Sequence, residues 1–439
     1  MWVEELTIEN IKCFEKLNLR CGDKSGAFKW ITLLGENGVG KSTALQALGL
    51  LLAGPEGANQ LLTRPVGWLR NESRPGKLSA RIHKSESDPG KHGEEKKRAV
   101  FNFTYFVTGT KKLTIRNKEY TEPAIVENSD RTLSWLRQNA FPSKGKAWFA
   151  VGYGAFRRLT RRHQIIVPSL QTPERFTGFL AQFNENEPLA AFEQWFVHLD
   201  YRIAKEKDPV AILQNTLGVT AINRVLPEGA SFDSVDSDGR ILFMVKGQRV
   251  PTLALSDGYR SVIALAGDLI WRLLMAFPDS KDPLQEAGTV LIDELDIHLH
   301  PVWQRQIPRM LRELFPNLQF IVATHSPFIA AGAGENAKTY RLKSDKGKVT
   351  VSEISSQLAF LSVEKVLQSP AFELISPFSQ ETQDKIDLYY TLRKKPQRTP
   401  ADDVQLEMIM PVVQQAIGEP RPTTELGEKV DDYLSKVLK

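Results

Sequence analysis

Gly35-Glu36-Asn37-Gly38-Val39-Gly40-Lys41-Ser42 is the stretch that decides the fold. It follows an apolar run, Trp30-Ile31-Thr32-Leu33-Leu34, and precedes a helix-like run over residues 43–52. Strand, glycine loop and helix in that order are the context of a P-loop. Glycines let backbone N–H groups converge on phosphate oxygens, and the helix N-terminus adds partial positive charge there. In that geometry Lys41 reaches the β- and γ-phosphates and the Ser42 hydroxyl ligates Mg²⁺. The fold class that follows is α/β.

The chain has 439 residues, 41% hydrophobic and 25% charged, which allows two or three hydrophobic cores. A net charge of +5 is mildly basic, well short of a chain that coats nucleic acid, and leaves room for a local basic groove. Cys13 and Cys21 have no partners at a metal-ligand spacing and read as two reduced thiols. Met1-Trp2-Val3-Glu4-Glu5 lacks the basic and apolar regions of a signal peptide. The longest apolar stretches are too short and interrupted to span a bilayer. The expectation is a cytoplasmic protein that does not engage a membrane.

Ahead of the glycine loop, residues 3–8, 14–20 and 28–34 read as antiparallel strands. The helix after the loop is expected to stop at Gly54-Pro55-Glu56-Gly57. Residues 70–98 are polar and carry Lys96-Lys97-Arg98; they read as a solvated loop or as a basic finger toward nucleic acid or a partner. Residues 99–107 and 112–116, joined through Thr108-Gly109-Thr110, read as a β-hairpin. Residues 146–153 form a strand leading to a basic cluster, Arg157, Arg158, Arg161 and Arg162. Residues 173–226 are helix-like, with Phe192, Trp195, Phe196 and Leu199 on one core-facing stripe. Short strands follow over 231–250, 338–342 and 349–354. Helices are then expected near 363–367, 380–392, 402–416 and 425–438. This divides the chain into a nucleotide-binding head, 1–345, with an insertion over 56–150, and a partner-binding strand and helical appendage, 346–439.

Three later stretches carry chemistry. Leu255-Ser256-Asp257-Gly258-Tyr259-Arg260-Ser261 opens a helix running to about Phe277, capped by Ser256 or Asp257. Gly258 falls in its first turn, where a side chain would obstruct an anion; as an ordinary N-capped helix the segment needs no ligand. Thr289-Val290-Leu291-Ile292-Asp293-Glu294 reads as a buried parallel strand delivering acids at the ligand-binding edge of the sheet. Asp293 is placed there to hold Mg²⁺ through water, and Glu294 to take a proton from an attacking water. A strand over 319–323 ends in Thr324-His325-Ser326-Pro327, where His325 either contacts the γ-phosphate or is structural. His298 and His300 suggest a metal pair by spacing only.

In this order the four stretches resemble the head of an ABC-type ATPase over roughly residues 1–345, and their spacing resembles the SMC/RecF-like branch. Asn10-Ile11-Lys12-Cys13-Phe14 resembles the opening of such heads. Asp293-Glu294-Leu295-Asp296-Ile297-His298-Leu299-His300-Pro301 resembles the Walker B and D-loop run of bacterial AAA-type ATPases allied to the overcoming-lysogenization-defect (OLD) proteins, and accounts for both histidines. Tyr153-Gly154-Ala155-Phe156-Arg157 and the Leu255 stretch are similar to predicted ATP-binding proteins involved in virulence. That group includes ATPase subunits of anti-phage systems such as Septu and PARIS.

The resemblance implies a head with an antiparallel β lobe, a helical lobe and a C-terminal helical appendage. It implies ATP and Mg²⁺ as cofactors. Gly35, Glu36, Asn37, Gly38, Val39, Gly40, Lys41, Ser42 and the adjoining Thr43 would bind ATP, with Lys12 flanking the adenine or phosphate side. Ser42 and Asp293 would hold the metal, and Glu294, Lys41 and His325 would be catalytic. Asp296 belongs to the D-loop. Ser256 and Gly258 would bind the γ-phosphate of ATP held by a second copy. Asp257 and Tyr259 stand where transporters usually carry Gly and Gln, which argues against a transporter role; no glutamine is assigned to the Q-loop. The implied partners are a second copy, as a homodimer or higher oligomer with ATP between the heads, and an effector protein. A nuclease is expected as effector, because neither a Toprim-like acidic set nor an HNH-like cluster follows residue 345. Two readings compete: a RecF-like DNA-repair ATPase using basic segments such as 157–162, and a nucleotide-locked scaffold with negligible turnover.

Overall fold

The computed structural model describes residues 1–90, 100–128, 131–142, 146–157, 174–185, 191–354, 356–372, 374 and 376–417. The chain divides into two compact units, Met1–Val366 and Leu367–Lys439. The first unit opens with β1 (Trp2–Ile11) and β2 (Phe14–Arg20), paired antiparallel. A short ladder of β3 (Gly22–Asp23) and β4 (Gly26–Ala27) leads to β5 (Trp30–Leu34), the glycine loop and α1 (Lys41–Leu61). Then follow β6 (Gly76–His83), β7 (Val100–Val107), β8 (Leu113–Ile115), β9 (Lys118–Tyr120), β10 (Ile125–Glu127), α2 (Arg131–Asn139) and β11 (Ala150–Tyr153). Helices α3 (Leu180–Phe183), α4 (Ala191–Glu206) and α5 (Pro209–Val225) precede a three-stranded meander, β12 (Ala230–Val235), β13 (Ile241–Val245) and β14 (Gln248–Pro251). The unit continues through α6 (Asp257–Ala276), β15 (Gly288–Ile292), α7 (Pro301–Leu314), β16 (Leu318–Ala323), α8 (Pro327–Gly332) and the hairpin β17 (Lys338–Asp345) with β18 (Lys348–Ile354). After α9 (Val363–Gln368), the second unit contains α10 (Gln380–Arg393) and α11 (Pro400–Ile417), packed on Ile386, Tyr389, Leu406 and Val413.

Two sheets position everything else. The antiparallel one has the order β10-β7-β6-β1-β2; the other, β11-β15-β16-β5-β17-β18, is parallel except for its last strand. Strands of the second sheet alternate between two cores. Ile31, Leu33, Leu291 and Ile321 pack with α1 and the antiparallel sheet. Trp30, Val290, Ile292, Phe320 and Val322 pack with apolar residues of α4 to α7. Both faces being buried explains the unbroken apolar runs.

Gln319 breaks the run at a position 1% exposed. Its Oε1 accepts from the Val3 N–H at 2.8 Å, and its Nε2 donates to Val3 O at 2.9 Å and Cys21 O at 2.7 Å. The carboxamide thus behaves as one more peptide group beside β1, where the pairing of β1 with β6 shifts register between Val3 and Glu5.

Three sequence expectations are corrected. The strand at 28–34 does not join its predecessors in an antiparallel sheet: β5 runs parallel between β16 and β17. The hairpin expected over 99–116 is absent among the described residues. Instead β7 lies between β6 and β10, while β8 pairs with β9 across Arg116 and Asn117, both at positive φ as a tight two-residue turn requires. Residues 70–98 include β6, whose Leu78, Ala80 and Ile82 are buried; Lys77, Arg81 and His83 on the alternate face mask that pattern. The helix stop expected at Gly54 is present inside the span of α1. The backbone breaks there (φ 82, ψ 170) and helix resumes to Leu61, with Pro55 at a helix start, where its missing N–H is not needed. Lys96-Lys97-Arg98 and the helix expected at 425–438 lie outside the described residues.

Two stability measurements test this packing. Gln319→Leu removes the side-chain partners of Val3 N–H and Val3 O, while Cys21 O keeps the Phe28 N–H at 3.1 Å, and should lower the denaturant midpoint by the equivalent of about 2 kcal/mol or more. Glu193, in the first turn of α4, has its carboxyl pushed up to about 7 by burial, against a hydrogen bond with Thr252. A carboxyl with a raised folded-state pKa loses stability as pH climbs from its unfolded value through the folded one, here by up to about 3 kcal/mol. Glu193→Gln should therefore raise the melting temperature by several degrees at pH 8 and change little at pH 4.

Candidate active site

Three strand ends meet at one edge of the parallel sheet. β5 runs into the glycine loop, β15 into Asp293-Glu294, and β16 into Thr324-His325. The glycines answer to their neighbours. At Gly35 (φ 150) a Cβ would strike the Leu342 carbonyl oxygen and lie 2.8 Å from Val39 Cγ2. At Gly40 (φ 98) it would strike Cys13 Sγ and lie 2.6 Å from Phe14 Cζ. The turn between β1 and β2 therefore underlies the loop and leaves no room for a side chain.

Lys41 is 5% exposed, and its Nζ donates to Gly35 O at 2.8 Å and Glu36 O at 3.0 Å. Burial lowers its pKa, opposed by the charges of Asp293, Glu294 and Asp296. Burial pushes the Asp293 carboxyl up, opposed by a hydrogen bond with Ser42. Asp293 Oδ1 is buried with no hydrogen-bond partner. Asp296 Oδ1 accepts from the Thr324 hydroxyl and from the His325 N–H at 3.3 Å. Gln304 Nε2 braces this loop through Asp296 O at 3.1 Å and Leu299 O at 2.9 Å. Burial, then Lys41, lowers the pKa of His325 and favours the neutral imidazole. Lys41, Ser42, Asp293, Glu294, Asp296 and His325 thus form one electrostatic cluster. A carboxylate with one oxygen unpartnered, beside a serine hydroxyl, is a donor set that fits a hydrated Mg²⁺.

Other expected site residues lie apart from that cluster. Lys12 Nζ sits 4.5 Å over the Trp68 ring and 3.5 Å from Gln46 Oε1 on α1. Ser256 is the exposed N-cap of α6, yet its side chain makes no capping hydrogen bond. Asp208, His300, Ser326 and Ser379 do cap α5, α7, α8 and α10. A Cβ at Gly258 would lie 2.8 Å from His298 O, and the Tyr259 ring meets Trp303 edge-on at 4.9 Å. Among the described residues no hydrogen bond joins Ser256 to the P-loop. His300 has a structural use, since its Nδ1 accepts from the Val302 N–H at 3.3 Å.

Arg157 is the residue that sequence reasoning misplaces. Counted with an exposed basic cluster, it is 5% exposed and donates to Gly154 O, Asp293 O and Glu294 O at 2.9, 2.7 and 2.9 Å. Arg157 is therefore unavailable to a DNA backbone, and residues 158–162 lie outside the described residues. The available signal was its place just after a strand, in Tyr153-Gly154-Ala155-Phe156-Arg157.

Residues 31–331 match the family described as "AAA domain, putative AbiEii toxin, Type IV TA system". The chain is 24% identical over 446 residues to the Septu protein PtuA of Bacillus mycoides (strain KBAB4), covering 100% of this chain and 54% of that protein. It is 46% identical over 83 residues to the "Retron Vc95 probable ATPase" of Vibrio cholerae serotype O1 biovar El Tor, covering 19% of this chain and 16% of that protein. The chain thus spans about half the length of the Septu relative. Among solved structures, the SMC head bound to the C-winged helix domain of ScpA superposes with a TM-score of 0.51 at 16% identity, covering 82% of this chain and 99% of that one. That likeness is one of fold, an ABC-type P-loop ATPase head. No helix among the described residues is long and apolar enough to cross a membrane.

The loop geometry separates two glycine variants. Gly40→Ala should abolish binding of a fluorescent ATP analogue. Gly38→Ala, at φ 78 but with no atom within 4 Å of a new Cβ, should weaken it only about tenfold, the strain of one left-handed residue.

Proposed function

The chain belongs to this AAA family, and from that premise we propose that it binds and hydrolyses Mg-ATP as a head-to-tail dimer and thereby controls a partner effector, a nuclease, in defence against phage. The observation that carries the reading is a division of parts. The P-loop, Asp293, Glu294 and His325 form one cluster, while the Ser256 hydroxyl at the start of α6 is exposed and caps nothing. A second copy would supply that hydroxyl and the helix N-terminus to the γ-phosphate. The Septu and retron relatives support the defence setting and an effector from the same system.

In this reading Lys41 exchanges its two carbonyl acceptors for phosphate oxygens. Ser42 and Asp293 hold Mg²⁺, which when bound neutralises phosphate charge. The Glu294 carboxylate accepts the proton of the attacking water. Neutral His325 donates to a γ-phosphate oxygen and senses its departure. Loss of the γ-phosphate removes the contacts that join the two heads, so nucleotide state becomes dimer state.

The test mixes two inactive variants, Lys41→Ala and Ser256→Arg, by co-expression. A head-to-tail dimer retains one composite site with both native elements, so turnover should return to about a quarter of wild type if sites act independently. No recovery in verified mixed dimers would overturn the shared site. In addition, Glu294→Gln should retain ATP binding and lose turnover, whereas a scaffold without turnover would show no difference between the two proteins.

A further inference from the structure

We infer that Arg157 is a positioning residue for hydrolysis: its guanidinium fixes the Asp293-Glu294 turn and so sets the direction of the Glu294 carboxylate. The inference rests on the proposed role of Glu294 as base. Glu294 has φ 45, a left-handed backbone that a residue with a Cβ adopts at a cost of about 1–2 kcal/mol. Such a conformation persists only where surrounding bonds impose it, and here they do so from both sides. The exit of β11 holds Asp293 twice: its N–H donates to Tyr153 O at 2.9 Å, and its carbonyl accepts from Arg157 Nη1 at 2.7 Å. Arg157 Nη2 takes the next carbonyl, that of Glu294, at 2.9 Å. From the opposite side the Leu295 N–H donates to Ala323 O at 3.2 Å, at the end of β16.

The side-chain type matters. Two successive carbonyls diverging across a tight turn need donors with fixed, different directions, which a planar guanidinium has and an ammonium lacks. The support is itself anchored. Nη1 also donates to Gly154 O, and the Tyr153 hydroxyl donates to Asp268 Oδ2 at 2.9 Å, where Arg272 pairs with the same oxygen at 2.7 Å. None of these bonds touches the phosphate loop. Loss of the clamp should therefore act on turnover more than on nucleotide affinity, to which the proposed function assigns Lys41 and the loop glycines as well as Asp293.

Two variants separate positioning from general support. Arg157→Lys keeps the charge without the fork; Arg157→Met keeps the bulk without donors. Three quantities are measured: kcat and KM for ATP, amide hydrogen exchange across residues 290–299, and the melting temperature. For Arg157→Lys, kcat should fall about tenfold or more with KM within about threefold, exchange at 293–296 should quicken about tenfold, and melting should shift by only a few degrees. Arg157→Met should be more severe in the same sense, and if it does not fold the lysine variant decides. Unchanged kcat, or a lower kcat with unchanged exchange in this segment, would overturn the inference. A wild-type chain without turnover would instead remove the hydrolytic reading. The exchange measurement then still reports whether Arg157 sets the turn, which keeps the two failures apart.

Discussion

A nearly buried ammonium is the constraint on which the molecule turns. Taking Lys41 out of water is costly, and two carbonyl oxygens and three neighbouring carboxylates offset that cost. The carboxylates come from the end of β15 and the loop after it, so the charge can be balanced only if β5 and β15 end at the same edge of one sheet. The parallel run of β15, β16 and β5 satisfies that requirement, and the two cores on its faces fix the strands that deliver it. An anionic ligand would enter a site where the cation is already placed and the opposing carboxylates await a second cation. Under the proposed function the site would select a charge pattern, phosphate with metal, more than a shape.

Much of this was readable from residues. The glycine loop, the apolar run ending in Asp293-Glu294 and the strand before His325 are local patterns: each records burial on both faces, or a backbone that excludes a Cβ. The hidden parts depend on partners far along the chain. Pairing order was one: β5 lies beside β16 and β17, and nothing near residue 30 announces that. Masked amphipathicity was another, since the basic face of β6 outweighed its three buried side chains, Leu78, Ala80 and Ile82. Arg157 was a third. An arginine in a basic run reads as solvated, and only the burial of Asp293 and Glu294 carbonyls beside it turns the guanidinium inward.

Side chains that bond to backbone across the fold recur in the first unit. Gln319 satisfies β1, Arg157 satisfies the turn after β15, and Gln304 satisfies the loop that carries Asp296. Each stands where a strand ends or shifts register, leaving peptide groups that no neighbouring strand can meet. These polar contacts specify geometry where the apolar cores cannot, because a hydrophobic core tolerates small displacements and a carbonyl with one donor does not.

The place of β5 has a consequence for how the chain is made. Trp30 pairs with Phe320 and Leu33 with Tyr340, so the strand that carries the glycine loop leaves the ribosome roughly 290 residues before either flank exists. At about 5–20 residues per second, that is a wait of about 15–60 s. Over that interval β1, β2 and β6 can form their antiparallel sheet, since their pairings close within 83 residues of the start. The five buried residues of β5 meanwhile lack both ladder partners. The nascent protein must shelter an apolar strand with two free edges until β16 and β17 have emerged.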